Sequence, residues 1–148
     1  MRCRKVPITG FLNGVSVFRF NKYPCYFMKK LKCGDEFQGG IIFFLDESNE
    51  HGLIVSKHDL SATADWNEAI KLCIDQHAGG FADWYLPTIE ELDLIYQNKD
   101  LVGSFVRFSY WSSTEYAEHF ACFQNFYNGM QDNDFKDNTC YVRAIRKF

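Results

Sequence analysis

The 148-residue chain carries 16 Lys or Arg against 19 Asp or Glu, a formal net charge of −3, with 47% hydrophobic and 24% charged residues. That composition suits one globular domain with a core of its own, unaided by metals or disulfides. No apolar run is long enough to span a membrane as a helix. Aromatics reach 18%, with 15 Phe and 8 Tyr. A core of this size does not need so many, so part of that aromatic surface is expected to serve binding.

Charge is unevenly distributed. Arg2, Arg4, Lys5, Arg19, Lys22, Lys29, Lys30 and Lys32 lie in residues 1–34 with no acid among them. One reading is a secretion signal, because Met1–Lys5 precedes a mildly apolar stretch. Asn13, Gly14 and Arg19 interrupt that stretch and no small-residue cleavage site follows, which argues against it. Nucleic-acid contact is a second reading, but no recognisable module accompanies the basic residues. The preferred reading is an arm, residues 1–32, that packs on the acidic body, on a neighbouring copy or on a larger assembly. The alternation over Gly14–Phe20 suits a strand in such an arm.

Strands are predicted at Gly40–Leu45 and Gly52–Val55. A helix follows over Trp66–Cys73, where Trp66, Ala69, Ile70 and Cys73 recur at helical spacing; Thr63 or Asp65 can cap it and Gly79-Gly80 ends it. A second helix starts at Thr88, with Glu91 completing a capping box behind Pro87 and Ile89, Leu92, Ile95 and Tyr96 as its buried stripe. Further strands are predicted at Ser109–Trp111, Ala121–Phe126 and Tyr141–Arg146. Strands, then two helices, then strands is an α+β order. Trp66 and Trp84 should be buried, both helices should pack on one sheet, and the N- and C-terminal strands should lie near each other.

Cys3, Cys25, Cys33, Cys73, Cys122 and Cys140 show neither a C-x-x-C pair nor zinc spacing, so free thiols are the default. One or two bridges stay open if the protein is exported. His51, His58, His77 and His119 are scattered without a metal or catalytic motif. Asp132, Asp134 and Asp137 hint at a calcium loop, but Lys136 stands where an oxygen ligand belongs and Asp137 where glycine does. No cofactor, metal or catalytic residue is expected.

The stretch from Ala117 to Cys140 is the least ordinary. Phe120, Phe123, Phe126, Tyr127, Met130 and Phe135 are set among Asn and Asp with no helical period. Rigid aromatics beside adaptable polar groups are the chemistry of an antibody paratope. A plain loop with incidental aromatics is the bland alternative.

"GGIIFFLDESNEHGLIV", "DWYLPTIEELDLIYQNK", "YWSSTEY", "QNFYNG" and "YVRAIRKF" occur in order, and from about Cys33 to Phe148 the chain resembles the C-terminal domain of Legionella collagen-like proteins, a bacterial and phage family. The resemblance implies a C-type lectin-like fold: two helices on a small antiparallel sheet, with a long loop-rich region presenting ligand. It also implies a non-catalytic receptor or adhesin domain for a protein or glycan on a cell surface, displayed on a virion or bacterium, with no nucleic acid and no membrane insertion. The formylglycine-generating enzymes share that broad fold, but their copper and cysteine site cannot be placed on Cys73, Cys122 or Cys140.

Some lectin-like proteins of this group are diversified by retroelements that mutate template adenines. The resemblance then implies variable ligand-binding positions at Glu118, His119, Phe120, Cys122, Phe123, Tyr127, Met130, Asp132, Asp134, Phe135, Asp137 and Cys140, with Ala117 at the margin. Nearly all are reachable from an AAC codon; Met130 and Glu118 need another template codon. His119, Phe120, Phe123, Tyr127, Phe135 and Asp137 should share one exposed face, while Gln124, Asn125, Phe126 and Tyr141 point inward or bond the backbone. Cys122 and Cys140 should belong to no essential bridge. An invariant glycan adhesin or structural surface domain is the alternative.

Overall fold

The computed structural model describes residues 30–103 and 105–148, together with the backbone of β1 (Phe11–Leu12) and β2 (Val15–Ser16), which pair antiparallel. The rest of the basic arm, with most of its expected strand, its packing role, Cys3 and Cys25, lies outside the described residues.

The body is a mixed α+β arrangement of two sheets. The first holds β3 (Glu36–Phe37), β4 (Gly40–Leu45), β5 (Gly52–Ser56) and β11 (Ile145–Lys147) in the order β11-β5-β4-β3, all antiparallel. Gln38 and Gly39 join β3 to β4 with φ of 45° and 91°, the left-handed pair a two-residue hairpin demands. A Cβ on Gly39 would lie 2.5 Å from the Ala78 carbonyl carbon, so the turn needs glycine for space as well as for φ.

The second sheet holds β6 (Ser61–Ala64), β7 (Ser109–Ala117), β8 (Phe120–Asn125), β9 (Gln131–Phe135) and β10 (Cys140–Val142) in the order β6-β10-β7-β8-β9. Its pairs are antiparallel except β10 with β7, where Tyr141 lies beside Tyr110.

Both expected helices form. In α1 (Trp66–Ile74) the Asp65 carboxylate accepts from the Glu68 N–H at 2.9 Å, and Trp66, Ala69 and Cys73 turn inward. In α2 (Ile89–Gln97) Thr88 and Glu91 make the reciprocal capping box, and Leu92 and Ile95 are buried. A short helix, α3 (Lys99–Val102), follows directly. Both α1 and α2 pack on the five-stranded sheet, and α2 also reaches β4. One apolar cluster gathers Ile42, Ile54, Trp66, Trp84, Trp111 and Val142; the other gathers Phe43, Val55, Leu92, Ile95, Tyr110 and Phe126. Trp66 and Trp84 are buried as their positions suggested.

The run Tyr141–Arg146 is not one strand. β10 belongs to the five-stranded sheet, and β11 pairs with β5 in the other, one strand away from β4. Buried arginines account for the crossover. Arg143 Nε donates to Asp59 Oδ1 at 2.7 Å and Nη1 to the Ser56 carbonyl at 2.9 Å, with its guanidinium 4.1 Å from the Phe105 ring centre. Arg146 donates twice to Asp83, at 2.7 and 2.9 Å, and once to Gln38. A buried guanidinium needs such partners, and one straight strand could not bring both to theirs. Among the described residues no helix is long and apolar enough to cross a membrane.

Candidate functional site

The stretch expected to be loop-rich is largely strand. β7, β8 and β9 form a meander in which Phe120 faces Phe135, Cys122 faces Asn133 and Gln124 faces Gln131. β9 was not expected, because Gln131–Phe135 is poor in β-formers. Its place at the sheet edge explains how it forms. Lys136 N–H bonds the His119 carbonyl across to β8, so alternation turns the N–H groups of Asn133 and Phe135 outward. Asp132 and Asp134 accept those two N–H groups at 2.8 Å each. The acids thus satisfy the edge that would otherwise invite another strand.

A fixed frame holds the meander. Trp111 Nε1 donates to the Ala64 carbonyl at 3.0 Å and Trp66 Nε1 to that of Ser112 at 2.8 Å. Ser112 Oγ donates to the Cys122 carbonyl, and Thr114 Oγ1 accepts from the Ile89 N–H. These hydroxyls satisfy backbone groups. Gln124 is buried, donating from Nε2 to Asp93 Oδ1 at 2.7 Å and to the Gly129 carbonyl at 3.2 Å. Asn125 Oδ1 accepts from Tyr127 N–H and Asn128 Oδ1 from Met130 N–H, shaping the β8–β9 turn. Gly129 closes it with φ 80°, where a Cβ would meet the Tyr96 ring at 2.6 Å.

Against this frame the candidate residues separate. Glu118, His119, Tyr127, Met130, Asp132, Phe135 and Asp137 are exposed; Phe120, Cys122, Phe123 and Asp134 are half-buried. Tyr127 keeps 67% and Phe135 55% of its surface exposed, too much for core. Cys140 is the exception at 6%, packed among Ala64, Trp66 and Val142. Nor do the candidates share one face. Register puts Phe120, Cys122 and Phe135 on the side that carries α2 further along, with the Phe120 and Phe135 rings 4.3 Å apart. Phe123, Asp132 and Asp134 lie on the opposite side, and Tyr127 and Met130 sit in the turn at the far end from Glu118 and His119.

The opposite side holds a cavity of about 220 Å³ lined by Thr63, Phe108, Ser109, Phe123, Asp134, Thr139, Cys140 and Tyr141. All five strands of the sheet contribute to it. Phe108 and Tyr141 stack with centroids 6.0 Å apart. Of the lining residues, Phe123, Asp134 and Cys140 were candidates from sequence. Thr63, Phe108, Ser109, Thr139 and Tyr141 were missed, because they come from separate strands and turns that converge on one cavity only in the folded sheet. A wider cleft of about 600 Å³, near Lys30–Cys33 and Phe43–Leu45, contains none of the candidates.

Cys73, Cys122 and Cys140 are poor nucleophiles. Burial pushes the Cys140 thiol up to about 12, and the neighbouring Asp134 carboxylate adds to it. Burial also raises Cys122, with Glu90 and Asp132 contributing. Cys33, Cys73, Cys122 and Cys140 are all free. Among the described residues no three His, Cys, Asp or Glu side chains converge to hold a metal ion.

Residues 46–146 match the family model described as the Lcl C-terminal domain. The chain belongs to that family. No curated protein matches it.

Proposed function

For this chain of the Lcl C-terminal domain family, we propose a non-catalytic ligand-binding role on a C-type lectin-like scaffold, with segment 117–140 as a variable surface diversified by a retroelement. The ligand is a protein or glycan on a cell surface, and no catalytic residue takes part. One observation carries this reading: within a single meander, frame and candidate side chains segregate. Trp111, Ser112, Gln124 and Phe126 are buried, whereas Tyr127, Met130, Phe135 and their polar neighbours project. Exposed Asp132 and half-buried Asp134 bond their own strand's backbone, and neither belongs to the core clusters. A surface built this way can change its chemistry without changing its fold.

Two experiments test it. A display library varying His119, Phe120, Phe123, Tyr127, Met130 and Phe135, panned against an unrelated purified protein such as lysozyme, should yield folded binders; failure to recover any over several rounds contradicts a versatile surface. DNA flanking the gene should hold a reverse transcriptase gene and an adenine-rich template repeat. Their absence would favour the invariant adhesin instead.

A further inference from the structure

We propose that the cavity between Phe123 and Tyr141 is a pocket for one cationic side chain, a Lys or Arg of a protein ligand. The inference rests on the binding role above and names the chemistry of its anchor. Four observations converge on it.

Size comes first. At about 220 Å³ the cavity is smaller than the roughly 300–1,000 Å³ of pockets for drug-sized ligands, and it suits a single side chain. Its lining includes flat aromatic surface, the stacked Phe108 and Tyr141 together with Phe123, beside the hydroxyls of Thr63, Ser109 and Thr139 and the buried Cys140 thiol. Such aromatic surface suits the methylene stem of Lys or the guanidinium plane of Arg.

The third observation is Asp134, the one charged residue of the lining. Its Oδ1 accepts from the Phe135 N–H at 2.8 Å and Asn138 Nδ2 at 2.7 Å, which fixes the carboxylate in place. Oδ2 has no hydrogen-bond partner among the described residues. A fixed carboxylate with one open oxygen in a cavity that also holds aromatic side chains is complementary to a cation.

The segment that supplies Phe123 and Asp134 has the same sign. Residues 115–140 carry Glu115, Glu118, Asp132, Asp134 and Asp137 against Lys136 alone. Lys136 is already bonded to Glu115 at 2.7 Å. A negative field attracts a cation and is indifferent to a neutral sugar, so a basic protein surface is favoured over a glycan as the occupant.

The test uses the full-length ¹⁵N-labelled protein and three small probes: N-acetyl-lysine amide, its uncharged analogue N-acetyl-norleucine amide, and methyl glucoside. Lysine amide should shift the amide signals of Thr63, Phe123, Thr139 and Tyr141, and norleucine amide should do so far less. Asp134→Asn keeps the Oδ1 acceptor and should weaken lysine-amide binding about tenfold, the scale of one charge-assisted hydrogen bond, without lowering the thermal midpoint. Equal shifts with norleucine amide, shifts with methyl glucoside alone, no shift in those residues, or undiminished lysine-amide binding to the variant would each overturn the proposal. None of these outcomes touches the library result at Tyr127 and Phe135, so a failed pocket and a failed binding surface are told apart.

Discussion

Lys136 Nζ donates to Glu115 Oε2 at 2.7 Å and to the Glu118 carbonyl at 2.8 Å, and it stands 4.5 Å from the centre of the Trp66 ring. One side chain thereby ties the β7–β8 turn to the segment after β9 and to the start of α1. The Trp66 N–H also donates to the Lys136 carbonyl at 3.0 Å. Lys136 is largely covered, whereas the Glu115 side chain keeps 57% of its surface exposed. Glu115→Gln should therefore cost less than about 1 kcal/mol, as exposed ion pairs do. Lys136→Ala also strips the turn carbonyl of its donor and should cost about 1–3 kcal/mol. Urea melts of both variants check the order; equal losses would show that the lysine acts only through its ion pair.

The aromatic residues make a second prediction. Phe126 is 3% exposed and packs against Tyr96, Phe105 and Tyr110, so Phe126→Ala should cost about 3–5 kcal/mol. Tyr127→Ala, one residue on, should stay within about 0.5 kcal/mol. Phe135→Ala loses its ring contact with Phe120 and should cost about 0.5–1.5 kcal/mol. Denaturant unfolding of the three variants measures this. A Tyr127→Ala loss approaching that of Phe126→Ala would place the turn in the core.

Cysteine chemistry separates two sites that the sequence treated alike. Cys122→Ser should be nearly neutral, while Cys140→Ser buries a hydroxyl among Ala64, Trp66 and Val142 and should cost about 1–3 kcal/mol. Native protein at pH 8 should leave Cys140 unlabelled by a thiol reagent that reacts fully after unfolding. Because the folded thiol lies near 12 and the ordinary value is 9.0, its neutral form stabilises the fold below pH 9. That contribution fades as pH rises toward 12. Rapid native labelling of Cys140 would contradict its burial.

Acid should act through Asp83. The Arg146 guanidinium bonds to it and holds its carboxyl below the usual value of 3.8. A depressed carboxylate stabilises the fold above its unfolded value, and the contribution disappears as pH falls through the lower folded value. Asp83→Asn should flatten the stability profile below about pH 4, with a small effect because the carboxylate is largely exposed. An unchanged acid limb in urea melts at pH 2–5 would show the pair to be inert.

Both helices were legible because their signals are local: the Thr88–Glu91 box and the inward spacing of Trp66, Ala69 and Cys73 lie within a few residues. β4 and β5 were legible through their apolar runs. β6 and β9 were not, since Ser61–Ala64 and Gln131–Phe135 owe their strand character to partners across the sheet. The same cause hid the cavity, whose lining residues come from all five strands of the sheet. Cys140 was misjudged as surface because sequence position cannot show that β10 is tucked between β6 and β7.

The central claim is that the exposed and half-buried candidate residues of the meander can vary while the fold stays. Protease resistance across a library randomised at Glu118, His119, Phe120, Phe123, Tyr127, Met130, Asp132 and Phe135 tests it directly, beside a control library randomised at Tyr110, Gln124 and Phe126. Most of the first library should resist protease as the parent does, and most of the control should be cleaved. Comparable cleavage of the two libraries would mean that the supposed surface is structural, and the binding role would fall with it.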